Sequence, residues 1–126
     1  VYKRQEIDGG SFKSILLDPT KVEVKREVDG IFFHVPYKNG IALKRPHSAV
    51  RKGDFKLVKF QDNGELFLYN ITTDKKESRN LISQNPKKTK ELEKLLMNYL
   101  KEVHAPKWQE GITWKGLPIS EINSNY

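Results

Sequence analysis

Two rhythms of apolar residues divide this chain. Over residues 86–103, Leu92, Leu95, Leu96, Tyr99, Leu100 and Val103 recur at steps of three and four, with lysines and glutamates between them. That spacing lays one apolar stripe along an α-helix. Asn85 is a residue type that caps helix N-termini, and Pro86 suits the first helical position, where its missing N–H has no partner to lose. Glu91 and Lys94 lie three apart and are expected to pair on the surface. Ala105-Pro106 ends the helix. Upstream, residues 31–35, 48–52, 55–60 and 65–70 are short runs rich in β-branched and aromatic residues, the composition of strands. They are separated by Pro36 and a loop over residues 37–47, by Gly53-Asp54, and by Gln61-Asp62-Asn63-Gly64. Asn63-Gly64 predicts a type I′ hairpin, which needs positive φ at both central residues. The predicted fold class is α+β: a small four-stranded antiparallel sheet with one long C-terminal amphipathic helix packed on one face.

The strands do not alternate apolar and polar residues as half-buried strands do. Phe32 and His34 share one face and Ile31, Phe33 and Val35 the other; Phe55 and Leu57 oppose Val58 and Phe60; Leu66 and Leu68 oppose Phe67 and Tyr69. Both faces of the sheet call for burial, and one helix covers one face. The second face is expected to meet a partner outside this sequence, since a contiguous exposed apolar patch is unusual for a monomer. The alternative is that the flanking segments fold over it.

Those flanks are residues 6–28, a connector, and residues 106–126, a tail. In the connector, Asp8-Gly9-Gly10-Ser11 is turn chemistry. Phe12, Ile15 and Leu16 then fall at helical spacing for one or two turns, which Asp18-Pro19 ends. The tail carries Trp108, Ile112 and Trp114 and reads as coil lying on something apolar. Residues 1–5, VYKRQ, resemble the translation of a transposon-end adapter and are set apart as a candidate non-native leader. The loop over residues 71–84 is polar, and Asn70-Ile71-Thr72 matches the short N-glycosylation pattern.

At 126 residues, with 37% hydrophobic and 31% charged, the chain is sized and composed for one folded domain. No apolar run approaches a membrane span, and the start has no apolar signal-peptide core. The absence of cysteine excludes disulfides, cysteine-ligated metal and cysteine nucleophiles. A net charge of +7 gives non-specific affinity for polyanions at low salt. The lysines and arginines are scattered, however, with no nucleic-acid module among them, so no specific nucleic-acid partner is expected. No Ser/His/Asp set has helpful local context, and no His/carboxylate cluster has metal spacing.

Three segments in order carry a family resemblance: FFHVPY at 32–37, PHSAVRKGDFKLVKF at 46–60 and ELFLYNITTDKKESRNL at 65–81. They resemble the C-terminal subdomain of bacterial formylglycine-dependent sulfatases, the arylsulfatase-like family. That subdomain has an aromatic-aromatic-His-x-Pro strand, here with His34 and Pro36. A Ser-Ala-Ile/Val-Arg-x-Gly-Asp strand pair follows, here from Ser48 to Leu57. A Leu-Tyr-Asn segment then runs into Asp, Glu and Asn-Leu, here Asp74, Glu77, Asn80 and Leu81. Asp8-Gly9-Gly10-Ser11 is similar to the element that closes the family's catalytic domain. The match runs from residue 7 to residue 105. The resemblance implies that residues 29–105 are a sulfatase C-terminal subdomain, and that the parent hydrolyses sulfate esters of sulfated carbohydrates. It also implies a periplasmic or secreted parent. The parent is expected to bind one calcium ion and carry formylglycine from a Cys/Ser-x-Pro-x-Arg sequence in an N-terminal catalytic domain. This chain has no such sequence, so no cofactor is expected in it and the chain alone is expected to be inactive. Its expected partners are that catalytic domain and, in the parent, a sulfated sugar.

In the family this subdomain lines one wall of the substrate pocket. The candidates for touching substrate are His34 and His47, with Tyr37, Lys44 and Arg45 on the loop between them, because cations and imidazoles suit an anion rich in hydroxyls. The plainer alternative is that His34 is a satisfied strand histidine and Lys44 and Arg45 are solvated. Arg51 and Asp54 flank a turn and read as structural. His104 ends the helix, where a cation suits the dipole. The competing function is a free-standing basic binding module without catalysis.

Overall fold

The computed structural model describes residues 10–18, 20–21, 24, 28–37 and 45–108. The leader, Asp8-Gly9, Asn39-Gly40, Lys44, Ile112 and Trp114 lie outside the described residues. The elements are α1 (Lys13–Leu17), β1 (Ile31–Val35), β2 (His47–Lys52), β3 (Phe55–Phe60), β4 (Leu66–Asn70) and α2 (Pro86–Glu102). The strands form one sheet in the order β1-β2-β3-β4, every neighbour antiparallel. The expected α+β meander with its C-terminal helix is what the chain forms.

Register fixes the two faces. Phe32 lies opposite Val50, Val50 opposite Leu57, and Leu57 opposite Leu68, so these residues form one row across the sheet. Val50, Leu57 and Leu68 meet Leu92 and Leu96 of α2, and all five are fully buried. The Phe32 ring stacks on Tyr99 at 3.8 Å between centroids. At the rim of this layer Lys59 reaches Glu93 at 2.6 Å and Lys52 reaches Glu91 at 3.7 Å. Glu91 therefore pairs with Lys52 and with Lys88 (2.8 Å) rather than with Lys94, because it faces back towards the sheet.

The opposite face is apolar too. Ala49, Val58 and Phe60 are buried there with Phe67 and Tyr69 packed against them. On β1, however, Phe33 stays 49% exposed and Ile31 41%. The connector helix does not cover them: α1 buries none of its residues, and Phe12, Leu16 and Leu17 stand open to solvent.

Turn chemistry differs from expectation at one hairpin. Gly53, at φ +57°, is the first residue of a two-residue turn between the paired Lys52 and Phe55, the glycine-first arrangement of a II′ hairpin. The second hairpin is not type I′: only Gly64 is left-handed, at φ +74°. It is a longer loop, closed by Gly64 N–H donating to the Phe60 carbonyl at 3.0 Å and Phe60 N–H to that of Glu65 at 2.9 Å. Asn63 instead accepts the Glu65 N–H through Oδ1 at 3.0 Å, a local bond that competes with the left-handed geometry.

The polar loop after β4 is built to close the sheet edge. Asn80 Oδ1 accepts the Leu68 N–H (3.1 Å), and Leu81 N–H donates to the Leu68 carbonyl (2.8 Å), so the outer side of β4 is occupied at that point. Asp74 shapes the approach by accepting the N–H groups of Ser78 and Arg79 at 2.8 and 2.9 Å. Glu77, left-handed at φ 53°, takes the Lys56 ammonium at 2.6 Å. Asn85 precedes α2 as expected but does not cap it with its side chain; its Nδ2 turns back to the Leu81 carbonyl at 3.4 Å. At the other end, His104 N–H donates to the Lys101 carbonyl (3.2 Å) and Ala105 N–H to that of Leu100 (2.9 Å), with His104 at φ 52°. That is a Schellman motif with histidine where glycine is usual.

Candidate functional site

The two strand histidines lie side by side in the sheet but on opposite faces. Val35 pairs with His47, whereas His34 pairs with Ser48, and neighbouring positions point to opposite sides. They do not converge on one site.

His34 sits on the α2 side in a closed polar ring. Its Nε2 lies 2.8 Å from the Pro106 carbonyl and its Nδ1 2.9 Å from Ser48 Oγ. A carbonyl only accepts, so Nε2 carries the proton and Nδ1 accepts in the neutral ring. Gln61 Nε2 donates to Ser48 Oγ at 2.7 Å, and Gln61 Oε1 accepts the Trp108 N–H at 3.1 Å. Every donor meets an acceptor. The Ser48–His34 contact is part of a structural ring, with Ser48 1% exposed.

His47 starts β2 on the other face and is 8% exposed. Its Nδ1 donates to the Arg45 carbonyl at 2.8 Å, which leaves Nε2 of the neutral ring as an acceptor. Among the described residues nothing hydrogen-bonds to Nε2. The ring packs at an angle to Phe60, 6.1 Å between centroids. The Arg45 guanidinium lies over the same Phe60 ring, 3.9 Å from its centre. It grips Asp62 with two bonds, Nε to Oδ2 at 2.9 Å and Nη2 to Oδ1 at 2.8 Å, and reaches Glu65 at 3.3 Å. These bonds raise the Arg45 pKa, and the guanidinium holds the Asp62 carboxyl below its ordinary value. Arg45 and His47 are thus brought together through Phe60 and one backbone carbonyl. Tyr37, half-buried, follows Pro36 just beyond β1, and Lys44 lies outside the described residues.

Asp54 accepts the Thr72 hydroxyl at 2.7 Å and, through its carbonyl, the Ile71 N–H at 2.8 Å, a turn contact and not an ion pair with Arg51. Sequence reasoning did not single out Gln61, Asp62 and Glu65, because they sit in and beside a turn and acquire partners only through the register. Among the described residues no group of three or more histidine and carboxylate side chains is placed to hold a metal ion. No helix among the described residues is long and apolar enough to cross a membrane.

No family model matches the sequence, and no curated protein matches it. Among solved structures the chain is similar to BT4656 in complex with its substrate D-glucosamine-2-N,6-O-disulfate. The two share 28% identity at a TM-score of 0.59, over 80% of this chain and 21% of that one. The chain thus spans about a fifth of the length of a protein whose substrate is a doubly sulfated amino sugar.

Proposed function

We propose that this chain is the C-terminal part of a sulfatase that hydrolyses sulfate esters of sulfated carbohydrates, and that it serves as a structural subdomain lining one wall of the substrate pocket. The observation that carries this is the likeness to BT4656, at 28% identity over 80% of the chain. The sheet's second apolar face, with Phe33 and Ile31 left open, supports docking on a catalytic domain. Formylglycine and calcium belong to that domain in this proposal, and the parent is exported. The basic-module alternative is weakened by the pairing of Lys52, Lys56, Lys59 and Lys88 with carboxylates.

Within the wall, His47 is the favoured contact. With Nδ1–H held by the Arg45 carbonyl, the neutral ring offers an acceptor, which suits a sugar hydroxyl; a sulfate oxygen is itself an acceptor and calls for a cation. Lys44 is the candidate for that cation, and Tyr37 a further candidate contact. Arg45 acts by orienting His47, since its guanidinium is already engaged by Asp62 and Glu65. His34 supports the wall from behind, both ring nitrogens being occupied. The test is the coding sequence upstream of Glu6, followed by sulfate release from a glucosamine 6-sulfate by the joined protein. A frame that closes without a Cys/Ser-x-Pro-x-Arg sequence, or a joined protein that releases no sulfate, defeats the proposal.

A further inference from the structure

The ring around His34 ties the segment after α2 to three strands of the sheet. Pro106 and Trp108 follow α2 and its left-handed His104. His34 reaches Pro106 from β1, Ser48 contributes from β2, and Gln61 reaches Trp108 from the end of β3. Gln61 also donates its own backbone N–H to the Pro46 carbonyl at 2.9 Å, and Pro46 stands between Arg45 and His47. One residue therefore joins the segment after α2 to the backbone that enters β2.

We propose that residues 106–108 form a strap across the strand ends, clasped by Gln61 and locked by the Nε2–H tautomer of His34, and that the strap positions the Arg45–His47 backbone. This rests on the ring's geometry alone and stands whether or not the chain belongs to a sulfatase. With the His34 ring neutral, the Pro106 carbonyl sets the direction of each bond. Trp108 N–H gives to Gln61, Gln61 to Ser48, Ser48 to His34 Nδ1, and His34 Nε2–H to the Pro106 carbonyl. Chains of aligned hydrogen bonds polarise one another, so each bond strengthens its neighbours. The ring also holds a reserve: Gln61 Nε2 lies 3.2 Å from His34 Nδ1. It can donate there directly if the serine hydroxyl is removed.

Trypsin reads the strap without labels, because Lys107 lies inside it and the protease needs its target extended and free. On the full chain, Gln61→Leu removes both the acceptor for Trp108 and the donor to Ser48. Cleavage after Lys107 should then accelerate at least about fivefold, the weight of one net hydrogen bond, while cleavage after Lys101 within α2 stays unchanged. Ser48→Ala should accelerate it less than Gln61→Leu, because the direct Gln61–His34 bond takes over. Equal Lys107 cleavage in the unsubstituted chain and Gln61→Leu, or a larger effect from Ser48→Ala, overturns the proposal. Should Gln61→Leu not fold, the unsubstituted chain decides by NMR. A His34 Nε2–H signal protected from solvent exchange supports the clasp, and its absence overturns it.

Discussion

The two faces of the sheet should respond differently to truncation. Leu57 stands at the centre of the α2-facing row, fully buried between Val50 and Leu68 and under Leu92 and Leu96. Leu57→Ala removes apolar surface and leaves a cavity among four rigid neighbours, which costs about 3–5 kcal/mol at such sites. Phe33 lies on the other face of an edge strand and is 49% exposed. Full burial of a phenylalanine is worth about 1.5–3 kcal/mol, so a ring half in water contributes about 1 kcal/mol. Against a total stability of about 5–15 kcal/mol, the first substitution consumes a large part of the fold and the second little. Urea unfolding followed by the helical circular dichroism of α2 measures both. At an m-value of about 1 kcal/mol/M, the midpoint should fall by roughly 3 M or more for Leu57→Ala and roughly 1 M for Phe33→Ala, with m unchanged. Equal losses would mean that the Phe33 face is already a sealed core within this chain, and the argument for a docking layer would fail. A loss under about 1 kcal/mol for Leu57→Ala would mean that α2 does not carry the folding core.

Asn80→Ala should cost about 1–3 kcal/mol, because it strips the Leu68 and Ile82 N–H groups of their shared acceptor; a thermal melt checks it, and hydrogen exchange at Leu68 should quicken. His104→Gly should stabilise the chain by about 0.5–1 kcal/mol, since glycine adopts the left-handed position after α2 without steric cost; a lower melting temperature would show that the histidine side chain earns its place. Asp62 has a carboxyl pKa lowered chiefly by its bond to Arg45. Its contribution is therefore present above the ordinary carboxylate pKa and lost as pH falls through the lowered value. Asp62→Asn should melt below the unsubstituted chain at neutral pH and converge with it in strong acid, and a gap that persists in acid refutes the electrostatic origin.

Much of this architecture is legible in the apolar pattern because α2 follows its helical period and the strands are short apolar runs bounded by turn residues. Leu92 and Leu96 announce the buried stripe of α2, and the paired parities of Phe55, Leu57, Val58 and Phe60 announce a sheet apolar on both sides. The site was less legible, for reasons of register. A sequence places His34 and His47 near each other along the meander, but only the pairing of His34 with Ser48 sends the two rings to opposite faces. Arg45 reads as a free loop cation until the hairpin after β3 brings Asp62 and Glu65 against it. Asn85 and Asn63 have the right identities for a cap and a type I′ turn. In each case the side chain found a nearer backbone partner, the Leu81 carbonyl or the Glu65 N–H.

The residues that carry the sulfatase resemblance divide by what they touch. Asp74 holds two backbone N–H groups, Glu77 holds Lys56, Asn80 and Leu81 close the edge of β4, Gly53 makes the first tight turn, and His34 and Ser48 sit in the ring that receives Pro106. Each is spent on scaffold. A pattern made of such residues reports that the same sheet, edge and turns are being built, and it is silent on what passes over them. Function must therefore be sought among side chains with capacity left over. Of the described candidates, His47 has a ring nitrogen that is an acceptor in the neutral ring and has no partner among the described residues, held in place by Arg45 and Phe60. Should the joined protein turn over a sulfated glucosamine, His47→Ala should raise KM or lower kcat in the folded protein, beyond the stability lost by removing a buried ring. Replacing Asn80 should lower the melting temperature and leave the kinetics of the surviving folded protein unchanged. The opposite assignment would place the chemistry in the motif and reduce His47 to packing.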